Sequence, residues 1–195
     1  MATDKFRNKY RIPSARKPDW DYRWHAVYFI TICTQNRLHY FGNIENGKMI
    51  LSDTGQIAST HWFDITNHFP FIQLINFVVM PNHIHGLLQI RENNNGIPVE
   101  TLHATSLRPV SIPIISETPH KNESMAKISP KRGSLSSVLR SYKSAVTKYA
   151  NQNELEFGWQ SLFHDHIVKE GDEYNRIIEY ISNNPHNWQN DKFYS

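Results

Sequence analysis

Cysteine is almost absent: Cys33 is the single one among 195 residues, so no internal disulfide can form and a reducing compartment is the natural setting. The apolar run around it, Tyr28 to Thr34, marks a buried thiol rather than a nucleophile. No apolar stretch approaches the ~20 residues that a membrane-spanning helix needs. The opening Met1-Ala2-Thr3-Asp4-Lys5-Phe6-Arg7 also lacks the apolar segment of a secretion signal, so no membrane role and a cytoplasmic location are expected. Nor is there a large charge of one sign: 21 Lys and Arg against 18 Asp and Glu leave +3, which is compatible with a nucleic-acid partner without arguing for one. What is present, 39% hydrophobic and 12% aromatic residues, suits one folded domain and excludes a disordered or fibrous chain.

The charge is unevenly placed. Lys5, Arg7, Lys9, Arg11, Arg16, Lys17 and Arg23 crowd the first 23 residues against Asp4, Asp19 and Asp21, with Pro13 and Pro18 as breakers. Residues 1–23 therefore read as a basic arm of the kind that lies along a phosphate backbone, or as a solvated tail, ahead of a single domain over 24–195. In that domain the run from Ala26 to Thr34 is rich in Val, Tyr, Phe, Ile and Thr and predicts a strand. A turn around 43–47 leads to a short strand at 49–51, and Asp53 is the expected N-cap of a helix to Asn67 with Ile57, Trp62 and Ile65 inward. Strands follow at 71–80 and 83–90.

From Arg91 to Arg132 periodicity vanishes. Asn93-Asn94-Asn95-Gly96 and prolines at 98, 109, 113, 119 and 130 mark a flexible insertion before the second long helix. That helix, from Ser134 to about Asn151, carries an apolar stripe of Leu135, Val138, Leu139, Tyr142, Val146 and Tyr149, with Arg140, Lys143 and Lys148 outside it. A last strand is expected over 159–169, then a helix from Asp172. This order predicts an α+β sandwich, helices packed on an antiparallel sheet.

The stretch that carries chemistry is Val79-Met80-Pro81-Asn82-His83-Ile84-His85. Side chains of a strand alternate between faces, so His83 and His85 share one face while Ile84 points into the core. Two imidazoles on a rigid strand are a ready pair of metal ligands, although a strand with two hydrogen-bonded histidines has the same spacing. In Glu173 to Pro185, apolar residues at 174, 177, 178 and 181 recur at helical spacing and Pro185 marks the end. Tyr180 and Asn184, four apart, then lie on one helix face. A phenol, an amide and two imidazoles together compose a metal-assisted nucleophilic site.

These residues resemble the HUH transposases that act on single-stranded DNA with one catalytic tyrosine, and within them the REP-associated tyrosine transposases. The resemblance runs through Tyr28-Phe29-Ile30-Thr31-Ile32-Cys33-Thr34, the histidine stretch, Trp159-Gln160, Asp165-His166-Ile167-Val168, Tyr180-Ile181 and Asn184-Pro185. It implies a ferredoxin-like core and cleavage and strand transfer at hairpin DNA through a 5′-phosphotyrosine at Tyr180. Asn184 takes the place where related enzymes supply an amide as third metal ligand beside His83 and His85. An amide oxygen is a hard donor, which suits Mg²⁺ or Mn²⁺. Lys143 belongs to a Lys-Ser pair like one in that family, and with Arg11, Arg16, Lys17, Arg140 and Lys148 it is a candidate DNA contact. The implied setting is the cytoplasm, in association with the nucleoid, and a homodimer is compatible with it.

Two other readings use the same residues. His164 and His166 form a second alternating pair, and four histidines facing one another across adjacent strands would hold Zn²⁺ or Fe²⁺ for chemistry on a small molecule. A domesticated protein that binds hairpin DNA without mobilising it would retain the same fold. Tyr142 and Tyr174 compete with Tyr180 for the nucleophile's role.

Overall fold

The computed structural model describes residues 17–92 and 130–195, and the backbone of two short paired strands, β1 (Lys5–Phe6) and β2 (Lys9–Tyr10). Arg11, Arg16 and nearly all of the expected insertion lie outside the described residues. The central elements are β3 (Ala26–Cys33), β4 (Gly42–Glu45), β5 (Lys48–Leu51), α1 (Asp53–His68), β6 (Ile72–Met80), β7 (His83–Ile90), α2 (Leu135–Gln152), β8 (His164–Val168) and α3 (Asp172–Asn183). Four strands form one sheet in the order β6-β7-β3-β8, with every neighbouring pair antiparallel. This is the expected α+β sandwich.

Alternation along β3 and β7 divides the sheet into two faces. Tyr28, Ile30 and Ile32 with Ile84 and Leu88 are fully buried under α1 and α2, against Ala58, Trp62, Leu135, Val138, Leu139 and Val146. Each large side chain withdrawn from water there contributes about 1.5–3 kcal/mol. The packing is close enough that residue 86 of β7 must be glycine, since a methyl group would lie 2.3 Å from two ring carbons of Trp62. The opposite face carries Val27, Phe29 and Leu87, covered by Ile177, Ile178 and Ile181 of α3. His83 and His85 stand on this second face because their register partners on β3, Cys33 and Thr31, do.

Three expectations are corrected. Helix α1 is capped one residue earlier than Asp53: Ser52 has extended backbone, accepts from the Gly55 N–H at 3.1 Å and donates to the Tyr40 carbonyl at 2.6 Å, leaving Asp53 in the first turn. The supposed turn at 43–47 is mostly strand. Only Asn46 and Gly47, at φ of 50° and 73°, form the tight turn of a β4–β5 hairpin, as a two-residue Asn-Gly loop favours. The last strand is shorter than 159–169. Trp159 makes a single bridge to Thr34, and its indole N–H donates to the Lys143 carbonyl at 3.1 Å, so residues 159–163 pack beside α2 before pairing begins at His164.

Residues Trp20 and Tyr22 pack on the core, and the Tyr22 carbonyl accepts from Leu135 N–H at 2.9 Å. At the other end Trp188 and Phe193 are buried with Cys33 and Met80, in a region where the sequence offered no periodic pattern. Among the described residues no helix is long and apolar enough to cross a membrane.

Candidate active site

Strand β7 begins at His83, directly after the Pro81-Asn82 turn, and delivers both imidazoles to the α3 face. They are 0% and 1% exposed, with ring centroids 4.4 Å apart. His83 Nδ1 lies 2.8 Å from Asn82 Oδ1. Because a carbonyl oxygen only accepts, Nδ1 carries the proton and the Nε2 lone pair is left free. Asn82 is itself held, its Nδ2 donating to the Phe193 carbonyl at 2.8 Å and to Ser195 Oγ at 3.1 Å. His85 Nδ1 meets Thr31 Oγ1 at 2.8 Å, a hydroxyl that suits either ring tautomer. Its Nε2 is 3.1 Å from the Tyr180 hydroxyl.

Helix α3 places Tyr180 over the histidines, where the residue is 40% exposed and reachable from solvent. Its hydroxyl donates to Asp191 Oδ2 at 2.8 Å, and Asn184 Nδ2 donates to the same oxygen at 2.8 Å. Asn184 is the C-cap, with φ −58° and ψ −42°, so the helical spacing of four from Tyr180 survives past the last helical residue. Among the described residues, the Asn184 carbonyl oxygen and His83 Nε2 are buried with no hydrogen-bond partner. Two unpartnered acceptors beside one another's elements are costly to bury unless a donor or a cation meets them.

Electrostatics agree with that need. Burial, then the proximity of His85, holds the His83 imidazole far below its ordinary value, and burial lowers His85 to about 4. Both rings are therefore neutral near pH 7, the form that ligates metal. Burial raises the Tyr180 phenol, as do its hydrogen bond to Asp191 and that carboxylate's charge. Burial also works to raise Asp191, but hydrogen bonds from Asn184, the Phe193 N–H and Tyr180 outweigh it and keep the carboxylate ionised.

A pH dependence follows for the metal-free protein. The unfolded chain binds a proton on His85 near pH 6.5 while the folded state resists until about 4, so its stabilisation is complete above 6.5 and disappears as pH falls through 4; burial holds folded His83 lower still. Urea unfolding between pH 6.5 and 4.5 should show stability dropping by up to about 1.4 kcal/mol per pH unit for each histidine. His85→Gln should flatten that slope, and an equal slope in the variant would refute the assignment.

His83, His85 and Asp191 each offer a ligand atom, all within 4.8 Å of one another. Nitrogen and carboxylate oxygen donors, with the amide of the C-cap residue Asn184 bonded to the same carboxylate, could hold a divalent cation. The sequence does not single out Asp191 as a site residue. It lies in a segment without periodicity, and its only sequence signal is that it is the sole acid between Pro185 and the last residue, among aromatic residues that turn out to anchor it.

The other candidates are dispersed. Tyr142 is buried under α1, its hydroxyl donating to the Ala58 carbonyl at 2.9 Å, and Tyr174 packs in the α3 layer; neither approaches the histidines. His164 and His166 pair across β3 from Thr31 and Phe29, so β3 separates them from β7 by two strand spacings, roughly 9.6 Å. The four histidines are thus not on adjacent strands, and His166 Nε2 engages Glu173 at 2.9 Å. Arg140, Lys143 and Lys148 line one groove of about 760 Å³ between α2 and residues 161–163. Lys143 is fixed there, donating to the Gln160 carbonyl at 2.7 Å, and burial lowers its ammonium to about 8. Lys17 is exposed, its ammonium 5.0 Å from the Trp20 ring.

The four-stranded antiparallel sheet with helices packed on it is a fold shared with a solved transposase. The chain aligns with the structure of a REP-associated tyrosine transposase bound to a REP hairpin at a TM-score of 0.54 and 16% identity, covering 89% of this chain and 73% of that one. No family model matches the sequence. An uncharacterised protein of Haemophilus influenzae is 35% identical over 185 residues, 93% of this chain and 92% of that protein, and the chain belongs to the same family as that protein.

Proposed function

We propose that the protein cleaves and rejoins single-stranded DNA at hairpin sequences through a covalent 5′-phosphotyrosine on Tyr180, with a divalent cation, Mg²⁺ or Mn²⁺, held by His83, His85 and one or both of Asn184 and Asp191. The observation that carries this reading is the Tyr180 hydroxyl standing 3.1 Å from His85 Nε2 and 2.8 Å from Asp191 Oδ2, over two neutral imidazoles. A phenol is a poor nucleophile at neutral pH and needs a route for its proton. Asp191 Oδ2 already accepts that hydrogen bond. In the proposed step the Tyr180 oxygen bonds to phosphorus, its proton passes to Asp191, the bond from phosphorus to the 3′-oxygen breaks, and that oxygen leaves as a hydroxyl by taking a proton from solvent water. The cation would supply charge neutralisation at the phosphate.

The fold shared with a transposase bound to a hairpin supports DNA as partner. The α2 groove supports it independently, since Arg140, Lys143 and Lys148 meet there with no acid among the described lining residues. The basic residues ahead of the core-packed Trp20 and Tyr22, Arg11, Arg16 and Lys17, would add phosphate contacts.

Affinity is therefore expected to be higher for a hairpin with a single-stranded flank than for a blunt duplex of equal length, and to fall steeply with salt. Arg140→Ala and Lys148→Ala should each weaken binding evenly across sequences and reduce the log–log salt slope by about 1. Fluorescence anisotropy at several salt concentrations measures both. Equal affinity for hairpin and duplex, or no binding at low salt, would defeat the nucleic-acid reading.

A further inference from the structure

Lys143 is the one lysine of the α2 groove whose ammonium is withdrawn from solvent. It is half-buried, with its Nζ 5.6 Å from the Trp159 ring and donating to the Gln160 carbonyl at 2.7 Å. Its backbone is held as well, because its own carbonyl accepts from the Trp159 indole N–H at 3.1 Å and from Thr147 Oγ1 at 2.9 Å. No carboxylate stands among the described residues lining the groove to pair with the ammonium. Burial therefore dominates and lowers it to about 8, while the Cys33 thiol of β3 opposes the shift. At pH 7 about one such amine in ten is uncharged, against roughly one in a thousand or fewer for an ordinary lysine. The uncharged amine keeps its lone pair for reaction while one of its N–H groups still serves the Gln160 carbonyl.

The groove also offers a place for an electrophile that carries a phosphate. Arg140, Ser144 and Lys148 recur every four residues and form one exposed row of α2, a cation one turn to either side of a hydroxyl, and all three line the groove with Lys143. Two cations and a hydroxyl suit a phosphate group. The groove, at about 760 Å³, has room for a small acyl phosphate, and the exposed Leu162 gives apolar surface to its acyl end.

We propose that Lys143 is a modification site, acylated by an acyl phosphate whose phosphate is seated by Arg140 and Lys148, and that the product weakens DNA binding in the groove. The Lys143 nitrogen bonds to the acyl carbon, the bond from that carbon to the phosphate oxygen breaks with its electron pair leaving on phosphate, and the nitrogen gives a proton to solvent water. A neutral amide replaces one of the three cations that meet in the groove. The acylation stands on the groove itself, and only its consequence rests on the DNA reading.

The test incubates the full-length protein with acetyl phosphate, beside Nα-acetyl-lysine amide as an ordinary amine, and follows Lys143 by peptide mass spectrometry. At pH 7 Lys143 should be acetylated on the order of tenfold faster than the standard, and its rate should level off above about pH 8 while that of the standard continues to rise. The double variant Arg140→Gln, Lys148→Gln changes two exposed positions. It should slow labelling by acetyl phosphate by roughly tenfold and leave labelling by uncharged acetic anhydride within about twofold, since only the first reagent needs the cations. Lys143 labelled no faster than the standard overturns the proposal, as does an equal effect of the double variant on both reagents. Protein acetylated at Lys143 should bind a hairpin more weakly, with a log–log salt slope lower by about 1. That loss should be absent from Lys143→Arg treated in parallel, which keeps its charge, and an equal loss in both would refute the regulatory consequence. Selective acetylation of a protein that binds no DNA would sustain the modification site and sink the nucleic-acid reading.

Discussion

Incubated with a cleavable hairpin and Mn²⁺, the protein should form a DNA adduct that survives denaturation and maps by mass spectrometry to the peptide carrying Tyr180. Tyr180→Phe should abolish it. Removing the nucleophile from a covalent mechanism lowers the rate by on the order of 10⁶, which takes the adduct below detection. The variant loses one hydroxyl and its contacts to Asp191 and His85, while the ring keeps its edge-on packing at 6.1 Å from Phe29, so the fold and DNA binding should persist. An adduct that remains in Tyr180→Phe would move the nucleophile elsewhere. Tyr142 is a poor substitute, enclosed under α1 with its hydroxyl committed to the Ala58 carbonyl. Cutting by the wild type with no adduct would make the enzyme a hydrolytic nuclease.

The second large effect concerns the cation. His83→Ala and His85→Ala should each abolish Mn²⁺ binding, read directly from the electron paramagnetic resonance of free Mn²⁺, and cleavage should vanish with it. Asn82→Ala should be milder. It removes the acceptor that sets the His83 tautomer without removing a ligand, a loss that costs about 10–100-fold in affinity elsewhere. Asn184→Ala and Asp191→Ala divide the remaining coordination, because each takes away a different oxygen donor near the pair. His164→Ala and His166→Ala should leave Mn²⁺ binding intact. Loss of metal in those two variants would revive a four-histidine centre, and tight binding that survives His83→Ala and His85→Ala would sink the metal assignment.

Much of the site was legible before the fold because it is built from local spacing. Residues two apart on a strand share a face whatever surrounds them, so His83 and His85 had to point together once 83–90 was extended. Residues four apart on a helix do the same, which joined Tyr180 to Asn184. The apolar stripe of α2 from Leu135 to Val146 was readable for the same reason, since period is a property of the chain itself.

Spacing has no power over what arrives from elsewhere in the chain. That Tyr180 lies over His85, 95 positions earlier, depends on α3 crossing the β7 side of the sheet through Ile177, Ile178 and Ile181. Asp191 was invisible because it sits in an aperiodic segment whose position is set by burial of Trp188 and Phe193, a tertiary event. The separation of His164 and His166 from the first histidine pair was equally undetermined. The sequence by itself determined that two imidazoles share a strand face and that a tyrosine and an amide share a helix face, because backbone geometry repeats regardless of context. Only the tertiary structure decided that these faces meet, that β3 stands between the two histidine pairs, and that a carboxylate joins the site, because strand order and the packing of aperiodic segments follow from which apolar surfaces bury one another.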